Sequence, residues 1–263
     1  MNKIKCPACG MTLPENHRQC PFCGRWLGGD RDMLLISETF FRNGKDTPII
    51  KDYIYNNSGY CIKAESRQNG RVYLRIEYDY DVIGRQIKET TFEDNPVNPS
   101  EWAEYEYDSE DRLIKETIYD GSDAAPTRYE YEYGQGSLCI KQSCYEDDIL
   151  FSWVEYEYDK SGNLTSEIHY FSVDEVDCQI ETIYGDNGFP VKEVCYRGDF
   201  SLSWQSEYDE NGNRVKVRCY DEDEKPDGHT EYRYDENGNL AGSLSYNSDG
   251  SLSHSTEYRY ENK

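Results

Sequence analysis

"YRYDENGNL" occupies residues 232–240, and close variants recur as "SEYDENGNR" (206–214), "YEYDKSGNL" (156–164) and "YEYDSEDRL" (105–113). Most hold two tyrosines at alternate positions, then an acidic residue and a turn. Alternation places both rings on one face of a strand. Taking the residue after the second Tyr as an anchor gives Asn56, Asp81, Asp108, Gly134, Asp159, Gly185, Asp209, Asp235 and Glu261, spaced by 25, 27, 26, 25, 26, 24, 26 and 26 residues. The chain is therefore an internal repeat. The residue before the anchor is Tyr in all nine units; three before, it is Tyr in seven, with Thr182 and Ser206 the exceptions.

Each anchor opens a turn. In "DKSGN" (159–163) the Asp159 carboxylate is expected to accept from backbone N–H groups two or three residues on. Gly162 is expected to take the left-handed conformation that a short hairpin loop needs. A second strand follows, as in "NLTSEIHY" (163–170), and ends in an aromatic eleven after the anchor: Phe92, Tyr119, Tyr145, Tyr170, Tyr196, Tyr220 and Tyr246. Helical periodicity is absent. The expected fold is all-β: an antiparallel β-hairpin repeat array over residues 30–263, about 26 residues per repeat. One hairpin cannot bury its Tyr face alone, so neighbours stack. Strand twist should draw the array into an extended, twisted or spiral sheet. Residues 31–55 read as an opening hairpin with an Asn43-Gly44 turn.

Residues 1–29 read as a separate zinc ribbon. "CPACGMTLPENHRQCPFCG" (6–24) carries two Cys-Pro-x-Cys-Gly units, Cys6/Cys9 and Cys20/Cys23. Four thiolates aimed at one point suit a closed tetrahedral site for one structural Zn²⁺. So short a segment cannot build a core, and metal binding would supply its folding energy. His17 is surplus to that shell. "GGD" (28–30) reads as a short hinge.

The N-terminal segment resembles the zinc-ribbon modules of many bacterial proteins. From about residue 50 onward the chain resembles the YD repeats of bacterial Rhs-type proteins, best at "YDYDVIGRQ" (78–86), "YEYDKSGNL" and "YRYDENGNL". That resemblance implies a β-shell and a binding role. The units here are longer than the usual YD unit, and Asp111 replaces the turn Gly in one.

Among 263 residues Tyr numbers 25 and the net charge is −24. Residues 1–30 carry Lys3, Lys5, Arg18 and Arg25 against Glu15 and Asp30, which is +2 and leaves −26 for the rest. Such a surface repels nucleic-acid backbones and anionic membranes. It suits solubility and a protein partner with a basic face, in an immunity-like role for example. Rows such as Glu104/Glu106, Glu130/Glu132 and Glu155/Glu157 are expected to present like charges at similar heights. "MNKIKCPACG" has no apolar leader core and no run is long enough to span a bilayer, so a cytoplasmic location is expected.

Trp102, Trp153 and Trp204 are spaced by 51 residues, which reads as one column, either a packing plug or a platform for a sugar or peptide. Cys144, Cys195, Cys219 and His169 share a column ten after the anchor; Cys61 and Cys139 share another. Ladders of this kind lie two strands apart, too far for a shared metal or a disulfide, so buried packing is expected of them. "DENGN" (235–239) has the wrong Gly position for a calcium loop, and "GQGS" (134–137) lacks the helix of a phosphate loop; both read as hairpin turns. No nucleophile motif or isolated acid/base pair stands out, so catalysis is not expected. The leading expectation is a non-catalytic binding or scaffolding protein. The alternatives are a nucleic-acid or regulatory adaptor acting through the ribbon, and a carbohydrate-binding or carbohydrate-active repeat protein.

Overall fold

The computed structural model describes residues 3–5, 12–14, 33–42, 47–94, 97–122, 124–171 and 175–262. Strands β1 (Lys3–Lys5) and β2 (Thr12–Pro14) form a two-stranded antiparallel sheet. Cys6, Cys9, Cys20 and Cys23, the hinge and the Asn43-Gly44 turn lie outside the described residues.

The remaining strands are β3 (Met33–Arg42), β4 (Ile49–Tyr55), β5 (Cys61–Gln68), β6 (Arg71–Tyr80), β7 (Gln86–Glu93) and β8 (Glu101–Tyr107). Next come β9 (Leu113–Tyr119), β10 (Thr127–Tyr133), β11 (Cys139–Glu146), β12 (Ile149–Tyr158), β13 (Leu164–Phe171) and β14 (Val176–Tyr184). The last six are β15 (Pro190–Arg197), β16 (Leu202–Tyr208), β17 (Arg214–Tyr220), β18 (Pro226–Tyr234), β19 (Leu240–Tyr246) and β20 (Leu252–Asn262). Each pairs antiparallel with its sequence neighbours, and β20 pairs with β3, so β3 to β20 make a closed 18-stranded barrel.

The hairpin repeat is as expected, but the sheet does not run on as an extended or spiral array. Two features close it. Every hairpin has a register shift just before its last Tyr, as between Glu157 and Tyr158 opposite Ser166 and Leu164. The partner strand thus carries one bulged residue at the same rim in unit after unit, and bulges add twist and bend a sheet. The second feature is a split unit. Its first strand, β20, meets its second strand, β3, at the other end of the chain, with the same shift between Arg259 and Tyr260. Closure removes two long edges that would otherwise invite association.

The turns follow the sequence closely. Asp159 Oδ1 accepts from the Ser161 and Asn163 amides at 2.8 and 2.9 Å, two and four residues on rather than two or three. Its Oδ2 accepts from Asn163 Nδ2 at 2.9 Å. Asp81, Asp108, Asp209 and Asp235 repeat the pattern, with Arg85, Arg112, Asn213 and Asn239 as side-chain donors. These bonds hold the Asp81, Asp108, Asp159 and Asp235 carboxyls below the ordinary range, against the opposing effect of desolvation. Gly162 has φ 84°, and Asp111, in the place of that Gly, has φ 61°. Asp111 turns its carboxylate to Arg85 of the preceding turn, 2.7 Å away.

Exposure alternates along the first strands. In β12, Tyr156 is buried and Tyr158 half-buried while Glu157 is exposed. Curvature crowds the concave face of a barrel and splays the convex one, so the tyrosines line the inside and the glutamates the outside. Beneath the rings lie small buried residues, among them Ala64, Ser206 and Ser243. Tyr131, Tyr133 and Tyr158 pack around Cys139, Tyr156 and Leu164.

The last Tyr of a unit also finishes a ladder. Between β11 and β12 the pairing starts at Lys141↔Glu155, which leaves Cys139 beyond the paired residues. Tyr158 Oη donates to the Cys139 carbonyl at 2.6 Å. Tyr55, Tyr80, Tyr107, Tyr133, Tyr184, Tyr234 and Tyr260 make the same bond to Leu35, Cys61, Gln86, Leu113, Leu164, Arg214 and Leu240. Tyr208 departs from the pattern. Its unit follows the 24-residue spacing, and on β16 the pairing reaches two residues nearer the anchor than in other units, at Lys192↔Glu207. Tyr208 Oη instead accepts from Arg214 Nε at 3.1 Å.

Candidate functional site

On the outer wall five of the hairpins lay a flat side chain, six before the anchor, across the ring eleven after it. The register pairs Arg75 with Phe92, Trp102 with Tyr119, Arg128 with Tyr145, Trp153 with Tyr170 and His229 with Tyr246. Trp102 and Tyr119 stack at 4.8 Å, Trp153 and Tyr170 at 4.7 Å, and His229 and Tyr246 at 4.7 Å. Arg75 lies 4.1 Å over Phe92 and Arg128 4.4 Å over Tyr145. Lys88 approaches Trp102 at 5.8 Å and Lys141 approaches Trp153 at 5.4 Å. Each of these two indoles therefore has a Tyr ring stacked on it and an ammonium within cation–π range.

Trp204 does not belong to that column. It pairs with Cys195 and Cys219, two strands of the inner face, and stands five residues before its anchor, not six. A one-residue slip reverses the face. The equal 51-residue spacing conceals this because it crosses the 24-residue unit.

Below the ring pairs runs a charged belt. Seven after the anchor stand Lys63, Lys88, Lys115, Lys141, Lys192 and Lys216. Lys88 faces Asp79 within its hairpin and Glu104 across the next boundary. Lys115 likewise sits between Glu106 and Glu130, and Lys141 between Glu132 and Glu155. Lys115 Nζ is 2.8 Å from Glu106 and Lys216 Nζ 2.9 Å from Glu231. The glutamate rows are therefore interleaved with lysines, which lowers the self-repulsion expected from the sequence. An excess of acid remains. Along β6, β8, β10 and β12 the belt holds Glu77, Asp79, Glu104, Glu106, Glu130, Glu132, Glu155 and Glu157 against Lys63, Lys88, Lys115 and Lys141, with Arg75 and Arg128 of the ring pairs also bound to Glu77 and Glu130.

The inner wall carries a second acidic belt that the sequence reading missed. Eight after the anchor stand Glu89, Glu116, Glu167 and Glu193, and Glu38 takes the same place in the split unit, opposite Tyr258. Tyr53 donates to Glu38 at 2.7 Å and Tyr131 to Glu116 at 3.1 Å. Arg214 reaches Glu193 at 2.6 Å. Burial pushes the Glu89 and Glu116 carboxyls above the ordinary range. The signal was present in the anchor frame but was hidden by Ala64, Gln142, Val217 and Ser243 in the same column.

Among the cysteines expected to be packing residues, Cys139, Cys144 and Cys195 are buried, Cys61 is half-buried, and Cys219 is exposed. Cys178, which belongs to neither column, pairs directly with His169. Among the described residues no three His, Cys, Asp or Glu side chains come together as a metal site. No helix among them is long and apolar enough to cross a membrane.

No protein-family profile matches the chain, and no curated protein matches it. Among solved structures, a Tc holotoxin pore from Photorhabdus luminescens is similar at 14% identity and TM-score 0.40, over 77% of this chain and 13% of that one. A porin-like protein from Bacteroides uniformis is similar at 10% identity and TM-score 0.48, over 88% of this chain and 97% of that one. A second porin-like protein, from Bacteroides vulgatus, has 10% identity and TM-score 0.37, over 86% and 98%. The chain thus spans about an eighth of the toxin chain it matches. The all-β hairpin-repeat fold itself rests on the sheet described above.

Proposed function

We propose that the protein is a non-catalytic binding or scaffolding module whose outer wall, from β6 to β13, recognises a basic protein surface. The observation that carries this reading is the belt of eight carboxylates against four lysines on four successive first strands, held at one height by ladder pairing. Exposed cations of a partner would meet carboxylates there and the edges of the Trp102 and Trp153 stacks just above. The hairpin units are read as YD-like repeats, supported by the Tyr-Asp turn and the unit spacing. One structural Zn²⁺ at Cys6, Cys9, Cys20 and Cys23 belongs to the same proposal, as does a cytoplasmic location.

The test uses an octa-arginine peptide and the full chain at low salt. Replacing Glu104, Glu106, Glu130 and Glu132 by Gln should weaken binding at least tenfold. The same charge change at the rim residues Glu222, Asp223, Glu224 and Glu236 should weaken it much less. Equal weakening would mean that net charge alone attracts cations and would remove the outer wall as a recognition surface. Binding that survives 1 M salt, where the Debye length is about 3 Å, would do the same.

A further inference from the structure

Five Asn-Gly pairs punctuate the chain, beginning at Asn43, Asn69, Asn187, Asn211 and Asn237. The first lies outside the described residues. In the other four the Asn is exposed at a hairpin turn, so neither sequence nor exposure tells them apart. Their hydrogen bonds do. The Gly188, Gly212 and Gly238 amides donate to the carbonyls of Gly185, Asp209 and Asp235 at 2.9, 3.0 and 3.0 Å. Asn187 is also held by its own carboxamide, which donates to the Glu210 carbonyl and accepts from the Phe189 amide, each at 3.1 Å. The Asn211 and Asn237 amides donate to the carboxylates of Asp209 and Asp235 at 2.9 Å.

Asn69 and Gly70 differ. They form the two-residue turn between β5 and β6, closed by the ladder pair Gln68↔Arg71. Both have positive φ, 54° and 77°, the type I′ arrangement. The Gly70 N–H has no hydrogen-bond partner among the described residues, and neither has the Asn69 carboxamide. Apart from its chain neighbours, no atom lies within 4 Å of where a Gly70 Cβ would stand, so a ring has room to close there. Charge separates the pairs as well. Asn187 follows Asp186, Asn211 follows Asp209 and Glu210, and Asn237 follows Asp235 and Glu236; these carboxylates oppose loss of an amide proton. Beside Asn69 stand Gln68 and Arg71, the latter paired with Asp94 at 3.1 Å.

We propose that Asn69 is a site of spontaneous deamidation, the one among these four that the folded barrel leaves reactive. The co-reactant is water. Gly70 N gives its proton to solvent and attacks Asn69 Cγ; an N–Cγ bond forms, the Cγ–Nδ2 bond breaks, and ammonia leaves after taking up a proton. Water then opens the cyclic imide. Opening at Cγ gives an aspartate, and opening at the main-chain carbonyl gives an isoaspartate. The isoaspartate routes the main chain through one extra carbon, which loosens a turn as tight as this one and the Gln68↔Arg71 pair that closes it. Either product sets a new carboxylate beside Arg71, in competition with Asp94. In the other three turns the same attack must first break the Gly amide bond, so only the locally open fraction reacts. In the β5–β6 turn no bond of Gly70 stands in the way.

The test needs only the wild-type full chain, held in mildly alkaline buffer with and without urea. Peptide mapping then separates the asparagine, aspartate and isoaspartate forms of each pair. In the native chain Asn69 should convert about tenfold faster, or more, than Asn187, Asn211 or Asn237. In urea, where all four turns are open, the rates should converge to within about threefold, because each Asn precedes the same residue. Convergence would show that the fold, not the local sequence, sets the order. If Asn187, Asn211 or Asn237 converts first in the native chain, if the four rates are equal there, or if Asn69 keeps its full lead in urea, the proposal is wrong.

Discussion

Replacing Tyr158 by Phe isolates the hydroxyl that ends each ladder. From sequence, that hydroxyl is expected to reach water and to matter little. In the structure it donates to the Cys139 carbonyl at 2.6 Å, at a point where β11 has no further ladder partner from β12. A typical intramolecular hydrogen bond contributes about 0.5–1.5 kcal/mol, and a buried acceptor left unsatisfied costs about 1–3 kcal/mol. Cys139 is 2% exposed, so water has poor access to its carbonyl. Tyr158→Phe should therefore cost about 1–2 kcal/mol. Tyr158→Ala removes the ring as well, which covers Cys139 and Leu164, and should cost about 3–5 kcal/mol. Tyr119→Phe is the control, since that ring stacks on Trp102 outside the barrel, and it should be nearly neutral. The assay is urea unfolding followed by far-UV circular dichroism, with midpoints converted through a common slope. A loss below about 0.3 kcal/mol for Tyr158→Phe would show that the hydroxyl does not complete the ladder. Similar losses for Phe and Ala would show that the ring is not part of the core.

Glu116→Gln should raise the melting temperature at pH 8 and have little effect at pH 4. The Glu116 carboxyl is raised in the fold by burial; a raised acid contributes its full stability below the unfolded value of about 4.3 and loses it as pH rises through the folded value, so near pH 8 the wild type carries a buried charge that Gln lacks. An equal loss at both pH values would refute that sign. Thr256→Pro removes a backbone donor in the middle of β20, the strand that closes the barrel between β19 and β3; it should cost about 3 kcal/mol or more and shift the chain toward dimers or aggregates in size-exclusion chromatography, because it weakens the closing strand and exposes an edge. A stable monomer would mean that closure contributes little. Elemental analysis should find one zinc per chain in the wild type and a loss of it in Cys20→Ser; retention of zinc by the variant would dismiss the four-cysteine site.

Much of the fold was legible because the anchor frame is a physical frame. Tyr at one before the anchor, Asp at the anchor and an aromatic at eleven after it correspond to a ladder end, a side-chain-bonded turn and a ring platform. Closure was not legible, because it depends on a count that the sequence presents in disguise. Nine first strands end in Tyr, but only eight second strands follow them; the ninth is β3, which precedes them all and lacks a recognisable partner until β20 arrives beside it. The bulged residue six after the anchor was equally hard to see, since Ile62, Ile87, Ile114, Ile140 and Val191 read as ordinary strand residues. A bulge is a relation between two strands and leaves no mark on either one alone.

The tryptophans show the converse, a pattern that was legible and misleading. A spacing of 51 residues seems to promise one column, but spacing along the chain is not position in the sheet. Counted from their anchors, Trp102 and Trp153 stand at six before and Trp204 at five before. In a strand that single residue decides between the outer wall and the inner one. The unit that carries Trp204 also runs its ladder two residues nearer the anchor, to Lys192↔Glu207, and Tyr208 there lacks the carbonyl bond that eight other units make. The shortened spacing, the reversed Trp and the diverted Tyr hydroxyl are one event. Arg214 fills the place that Leu, Cys, Gln or Pro takes in other units; it satisfies Tyr208 and reaches Glu193 at 2.6 Å. A slip that would have left a half-buried carboxylate and a phenol without partners is compensated by one inward-facing guanidinium. For that reason Arg214 should tolerate substitution less well than any other residue of its column.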